Sequence, residues 1–238
     1  MANNHPLWTD DYWPLLVQLY MRKPIGIKPM YSRAMIALSI ELHIPPQVLY
    51  NLMFRLRRHD SPAIQRLWSK YGDNPKALTK AVRMVRRMAG FGSGGLFYEG
   101  VAVNETFEAD FKPVAGCDGI MPVMLILVLD LYYRLTPATM VSETPEVRQT
   151  ARTVKASCQQ VVDILALYRQ CDPYLNYRRS DAIGIGPHHS DAIGIGPYDA
   201  NEEPATPLLN ACRGVWRRFE DSPEDLSALA AQMKEFFA

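Results

Sequence analysis

Apolar residues recur every third or fourth position along most of this chain, between short polar stretches rich in Pro and Gly, and that period predicts a mainly α-helical protein. Helices are predicted at Tyr12 to Arg22, Arg33 to His43, Pro46 to Arg58, Met121 to Leu135, Pro145 to Lys155 and Cys158 to Gln170. Five helix starts carry a capping residue followed by proline: Ser61-Pro62, Asn74-Pro75, Thr144-Pro145, Thr206-Pro207 and Ser222-Pro223. The side-chain oxygen accepts from first-turn amides, and proline at the first helical position gives up no needed donor. Ser157 with Gln160 has the spacing of a capping box. Gly72 and Gly90 stand where left-handed helix stops are expected.

Two stretches break the helical period. From Phe97 to Lys112, Val101 and Val103, then Phe107, Ala109 and Phe111, alternate around Asn104-Glu105, which predicts a β-hairpin, either a wing or a connector. Ser180 to Pro187, SDAIGIGP, recurs unchanged at Ser190 to Pro197 and reads as a duplicated linker, since two copies are too few for a solenoid. The expected organisation is a basic helical domain over 1–90, a glycine-rich joint with the hairpin over 91–120, and a second helical domain over 121–177. A flexible linker over 178–204 and a C-terminal helical hairpin over 205–238 complete it.

Ser39 through Phe54, SIELHIPPQVLYNLMF, places Leu38, Leu42, Ile44, Leu49 and Leu52 as the buried positions of two helices joined by a tight turn. There the chain resembles the helix-turn-helix superfamily, with His43 near the place of the usual turn glycine and Pro45-Pro46 opening the second helix. If Val48, Leu49, Leu52, Met53 and Leu56 face the core, Gln47, Tyr50, Asn51, Phe54, Arg55 and Arg58 lie on or near the other side. The resemblance implies a recognition helix, and Gln, Asn and Arg are the side chains that read base edges or hold phosphates. Tyr50 and Phe54 admit a second reading, a face for another helix or a protein partner. The predicted helix from Pro75 adds Lys76, Lys80, Arg83, Arg86 and Arg87 at helical spacing, opposite Leu78, Val82 and Val85, with Ala81 and Met88 nearby. Such a stripe tracks phosphates or is a solvated face.

A second predicted helix pair, Val147 to Gln170, repeats this layout 112 residues later, with Ala151, Val154, Ala156, Val161 and Ile164 at the buried positions. Asp163 stands where the first pair has Asn51, and Leu167 where it has Arg55, which does not suit a polyanion. Its segment VKASCQQVVDILALYRQCDP resembles helical repeats in the core-binding region of the enhancer-dependent sigma factor, a resemblance that implies a transcription-complex partner.

Charge sharpens the contrast. Residues 1–90 hold 14 Lys and Arg against 5 Asp and Glu, a balance of +9, whereas the remainder holds 12 against 20, a balance of −8. The basic half can attract a polyanion, or the two halves each other. The start of the chain has no signal-peptide pattern, and Val123 to Leu129 is too short to span a membrane, so a cytoplasmic protein is expected. Cys117, Cys158, Cys171 and Cys212 form no CxxC pair, and His188-His189 has no cysteine nearby, so neither metal nor disulfide framework is expected. Gly90 to Gly95 fits G-x-G-x-x-G but follows a predicted helix and precedes an extended segment, the reverse of a dinucleotide site. His5, His43 and His59 are dispersed, and no catalytic set assembles. The expectation is therefore a non-enzymatic DNA-binding regulator or nucleoid-associated factor without cofactor, the alternative being a protein-interaction adaptor.

Overall fold

A computed structural model of the chain describes residues 5–92, 106–175 and 206–238. The duplicated octapeptide, His188-His189, the linker over 178–204 and residues 97–105 of the expected hairpin lie outside the described residues. Among the described residues every regular element is helical. The chain divides into two compact units, Met1–Phe111 with Ala231–Ala238, and Lys112–Ala230.

In the first unit the 3-10 turn Asp10–Tyr12 leads into α1 (Trp13–Met21), followed by α2 (Arg33–Leu42), α3 (Pro46–Arg58), α4 (Pro62–Tyr71), α5 (Pro75–Val85) and the single turn α6 (Thr106–Ala109). Apolar residues surround α1: Trp13, Leu15, Leu16, Val17 and Leu19 are all buried. A helix without a polar face must be covered on all sides, and α3, α4 and α5 pack against it while α2 packs on α3. Leu16, Met35, Ile44, Leu49, Met53 and Leu56 are fully buried in the resulting core, each contributing about 1.5–3 kcal/mol by leaving water. Ser61 Oγ accepts from the Ile64 amide (3.3 Å) and Asn74 Oδ1 from the Ala77 amide (3.0 Å), the caps that start α4 and α5. The end of the chain belongs to this unit: Arg33 Nε donates to the Phe236 carbonyl (2.9 Å), and the Phe236 ring packs on Phe111 at 5.0 Å.

Four expectations are corrected. The second arm of the hairpin is the helical turn α6; Phe107 and Phe111, four apart, turn toward the protein while Ala109 is exposed, so alternation of side chains is not realised. Gly72 is right-handed (φ −57°), because its amide continues the helical ladder to the Trp68 carbonyl at 2.8 Å. Its lack of a side chain still matters, since a Cβ there would stand 2.8 Å from that carbonyl oxygen. Gly90 is left-handed (φ 84°), but α5 already ends at Val85, where the Arg87 and Met88 amides reach back only three residues. Thr144 does not cap through its side chain, since its hydroxyl donates to the Thr139 carbonyl instead (2.5 Å).

The second unit contains α7 (Pro122–Arg134), the 3-10 turn Pro137–Thr139, α8 (Pro145–Val154), α9 (Cys158–Cys171), α10 (Pro207–Phe219) and most of α11 (Pro223–Met233). Ten consecutive residues of α7, Val123 to Tyr132, are buried, and α8, α9 and α10 pack around them. Tyr168 is fully buried and its hydroxyl donates to the Leu125 carbonyl (2.9 Å). Ser157 and Gln160 form the predicted reciprocal capping box. No described helix is long and apolar enough to cross a membrane.

The two units follow one plan. Arg33–Leu42 and Pro145–Val154 begin and end 112 residues apart, and so do Pro46 and Cys158, the first residues of α3 and α9. The same offset relates the buried residues Met35 and Val147, Leu49 and Val161, Leu52 and Ile164, and Leu56 and Tyr168. It extends to α1 and α7, where Tyr20 corresponds to Tyr132. From the fourth helix onward the offset is 148: Trp68 corresponds to Trp216, Tyr71 to Phe219, Leu78 to Leu226 and Val85 to Met233, with all but the half-buried Trp68 buried. Trp68 meets Tyr20 edge-on at 5.5 Å, and Trp216 meets Tyr132 edge-on at 5.8 Å. The step from 112 to 148 means that the second copy carries 36 additional residues between its third and fourth helices, where the SDAIGIGP pair lies.

One core difference between the copies yields a test. Ser39 is fully buried in α2 and its hydroxyl has no hydrogen-bond partner among the described residues, whereas the corresponding residue of α8 is Ala151. A buried hydroxyl without a partner costs about 1–3 kcal/mol. Ser39→Ala is accordingly expected to stabilise the first unit by about 1 kcal/mol, measured as a higher melting temperature by circular dichroism.

Candidate nucleic-acid interface

Three residues separate α2 from α3, and their geometry fixes where α3 begins. His43 is left-handed (φ 54°, ψ 36°), and the next amide, of Ile44, reaches back to the Ser39 carbonyl (3.0 Å), the long-range bond of a Schellman stop. Ile44 is fully buried just past the stop, and Pro45 and Pro46 then open α3. A left-handed non-glycine residue costs about 1–2 kcal/mol. Both ring nitrogens of His43 are tethered, Nδ1 at 2.8 Å from Glu108 Oε1 and Nε2 at 3.1 Å from the Gly92 carbonyl oxygen. The second unit has the same stop at Lys155 (φ 59°), with the Ala156 amide bonded to the Ala151 carbonyl at 3.0 Å.

This pair supports a comparison. Lys155→Gly removes the left-handed cost and is expected to add about 1 kcal/mol of stability. His43→Gly gains the same relief but loses both ring tethers, so it is expected to be neutral or destabilising. Denaturant unfolding of the two variants against the parent reads the difference.

On α3 the core phase is as expected. Leu49, Leu52, Met53 and Leu56 are buried and Val48 is half-buried against the core. Gln47, Asn51 and Arg58 are exposed, whereas Arg55 is half-buried. Arg57, outside the set that the apolar period turns away from the core, is exposed as well. Tyr50 and Phe54 are half-buried and meet edge-on with ring centroids 5.0 Å apart, and Tyr50 packs on the core of its own unit.

On α5, Leu78, Val82 and Val85 are buried, which turns Lys76, Lys80 and Arg83 to solvent, followed by exposed Arg87 just past the helix. Among the described residues none of these four cations forms an ion pair. Arg86 differs. Its guanidinium makes a two-pronged bond to Glu41 on α2, Nε to Oε1 at 2.6 Å and one terminal nitrogen to Oε2 at 2.9 Å. That carboxylate, 45 residues earlier in the chain, neutralises Arg86 and removes it from the free stripe. Met88, expected near the core, is 47% exposed, and Met84 beside it is 61% exposed.

Helices α3 and α5 share α1 as support. The arrangement thus offers a row of neutral hydrogen-bonding side chains and arginines on α3, and a row of unpaired cations on α5. Gly90 and Gly92 lie in the turn region after α5 with positive φ, while Ser93 to Gly95 lie outside the described residues. Among the described residues no group of three or more His, Cys, Asp or Glu could hold a metal ion.

No family model, curated protein or solved structure matches this chain.

Proposed function

We propose that the first unit is a helix-turn-helix module that binds duplex DNA, with α3 at the base edges and the α5 cations on phosphates, in a non-enzymatic cytoplasmic regulator or nucleoid-associated factor. The observation that carries this reading is the exposed row Gln47, Asn51 and Arg58, with Arg57 exposed to one side of it, on a helix that starts from a tight left-handed stop. Uncharged amides and arginines are what base-edge recognition uses, and the four free cations of Lys76, Lys80, Arg83 and Arg87 supply attraction that does not depend on sequence. The second unit then serves as a further helical module of the same chain.

Selection from a random duplex pool by the full chain tests the reading. The parent is expected to enrich a preferred sequence. The Gln47→Ala, Asn51→Ala double variant is expected to bind the pool with most of its affinity but to enrich nothing. A parent that retains no duplex at low salt rejects the proposal. The adaptor reading, within a transcription complex or elsewhere, draws on the exposed Met84 and Met88 beside the stripe, a pair of flexible apolar side chains suited to a protein surface. Tyr50 contributes less to that alternative, because it is packed on its own core.

A further inference from the structure

We infer that the chain is a tandem duplication of one five-helix module, and that only the first module carries the nucleic-acid face, so that one chain engages one duplex segment. This inference rests on the duplex-binding reading above. It is carried by what the two modules share and what they do not.

The shared part is structural. Left-handed stops at His43 and Lys155, the same six-residue hydrogen bond from Ile44 to Ser39 and from Ala156 to Ala151, and the edge-on Trp-Tyr contact all recur at constant offsets. Corresponding core positions remain apolar while their identities change, as in Leu56 and Tyr168 or Ile64 and Cys212, all buried. Such agreement is what one fold imposes on two sequences that have drifted apart.

The part that differs is the exposed face. At the positions of Lys76 and Lys80 the second module has Glu224 and Ala228, and at those of Arg83 and Arg87 the repeat continues with Ala231 and Glu235 in the C-terminal segment that packs with the first unit, so four positive charges become two negative ones. At Arg55 and Arg58 it has Leu167 and Gln170. At Gln47 and Asn51 it has Gln159 and Asp163, and these two are bonded to each other, Gln159 Nε2 donating to Asp163 Oδ1 at 2.8 Å. A carboxylate on that face repels phosphate, and it occupies the amide that would otherwise reach a base. Arg169, at the position of Arg57, is the one cation of the α3 face retained on α9.

The test compares equivalent triple variants of the full chain against a short labelled DNA duplex, with circular dichroism confirming that each is folded. Gln47→Ala, Asn51→Ala, Arg57→Ala is expected to weaken binding by roughly tenfold or more, as lost base-edge and phosphate contacts do. Gln159→Ala, Asp163→Ala, Arg169→Ala is expected to leave affinity unchanged, and the parent to saturate at one duplex per chain. Saturation at two duplexes, or equal weakening by both triples, overturns the confinement to one module while leaving DNA binding in place. No binding by the parent overturns the DNA reading and this inference together.

Discussion

Leu49→Asp is expected to unfold the first unit. Leu49 is fully buried in α3, in a core that includes Leu42, Ile44, Leu52, Met53 and Leu56. An unpaired carboxylate there costs several kcal/mol in desolvation, and the lost leucine adds about 2–5 kcal/mol of transfer and cavity terms. Small domains have only about 5–15 kcal/mol to lose. Leu49→Ala should give a lowered but cooperative melt, Leu49→Asp a loss of helical signal at ambient temperature, and Arg57→Ala, on the exposed side of the same helix, no change. A Leu49→Asp chain that melts like the parent would mean that α3 presents a different face to the core.

The second large effect is on binding. Lys80→Ala, Arg83→Ala, Arg87→Ala together are expected to lower duplex affinity by about 10²–10³-fold near 0.1 M salt, because each phosphate contact is worth roughly tenfold there through counterion release. The loss should be nearly the same for every sequence, since phosphate contacts position without specifying. Stability should barely move, as all three side chains are exposed and form no ion pair among the described residues. Arg86→Ala should have a smaller effect on binding than any one of them, because its charge is already matched by Glu41. An affinity drop from Arg86→Ala equal to that of Arg83→Ala would mean that the Glu41 pair opens on binding.

Much of this is legible in the sequence. Proline after a capping residue marked the starts of α4, α5, α8, α10 and α11, because the first helical turn is the one place where a missing amide costs little. The phase of α3 followed from a strong apolar stripe, and the 112-residue echo was visible in its buried positions. Other features depend on residues far apart in sequence. Nothing near Arg86 announces Glu41, and nothing near His43 announces Glu108, 65 residues away, which helps hold a histidine where glycine is usual. Phe107, Ala109 and Phe111 alternate as a strand would, yet Phe107 and Phe111 also fit one helical turn, and over so short a stretch the period does not distinguish them. The duplication beyond the helix pair was hidden because its partners are similar in size rather than identical, and because the offset changes between the third and fourth helices.

The most direct test of the central claim is the affinity of the full chain for duplex DNA measured across a series of salt concentrations. With Lys76, Lys80, Arg83 and Arg87 on phosphates, the logarithm of the binding constant is predicted to fall linearly with the logarithm of salt at a slope of about −4. The Arg83→Ala, Arg87→Ala variant should flatten that slope by about 2. No binding at low salt, or binding indifferent to salt, would contradict the account.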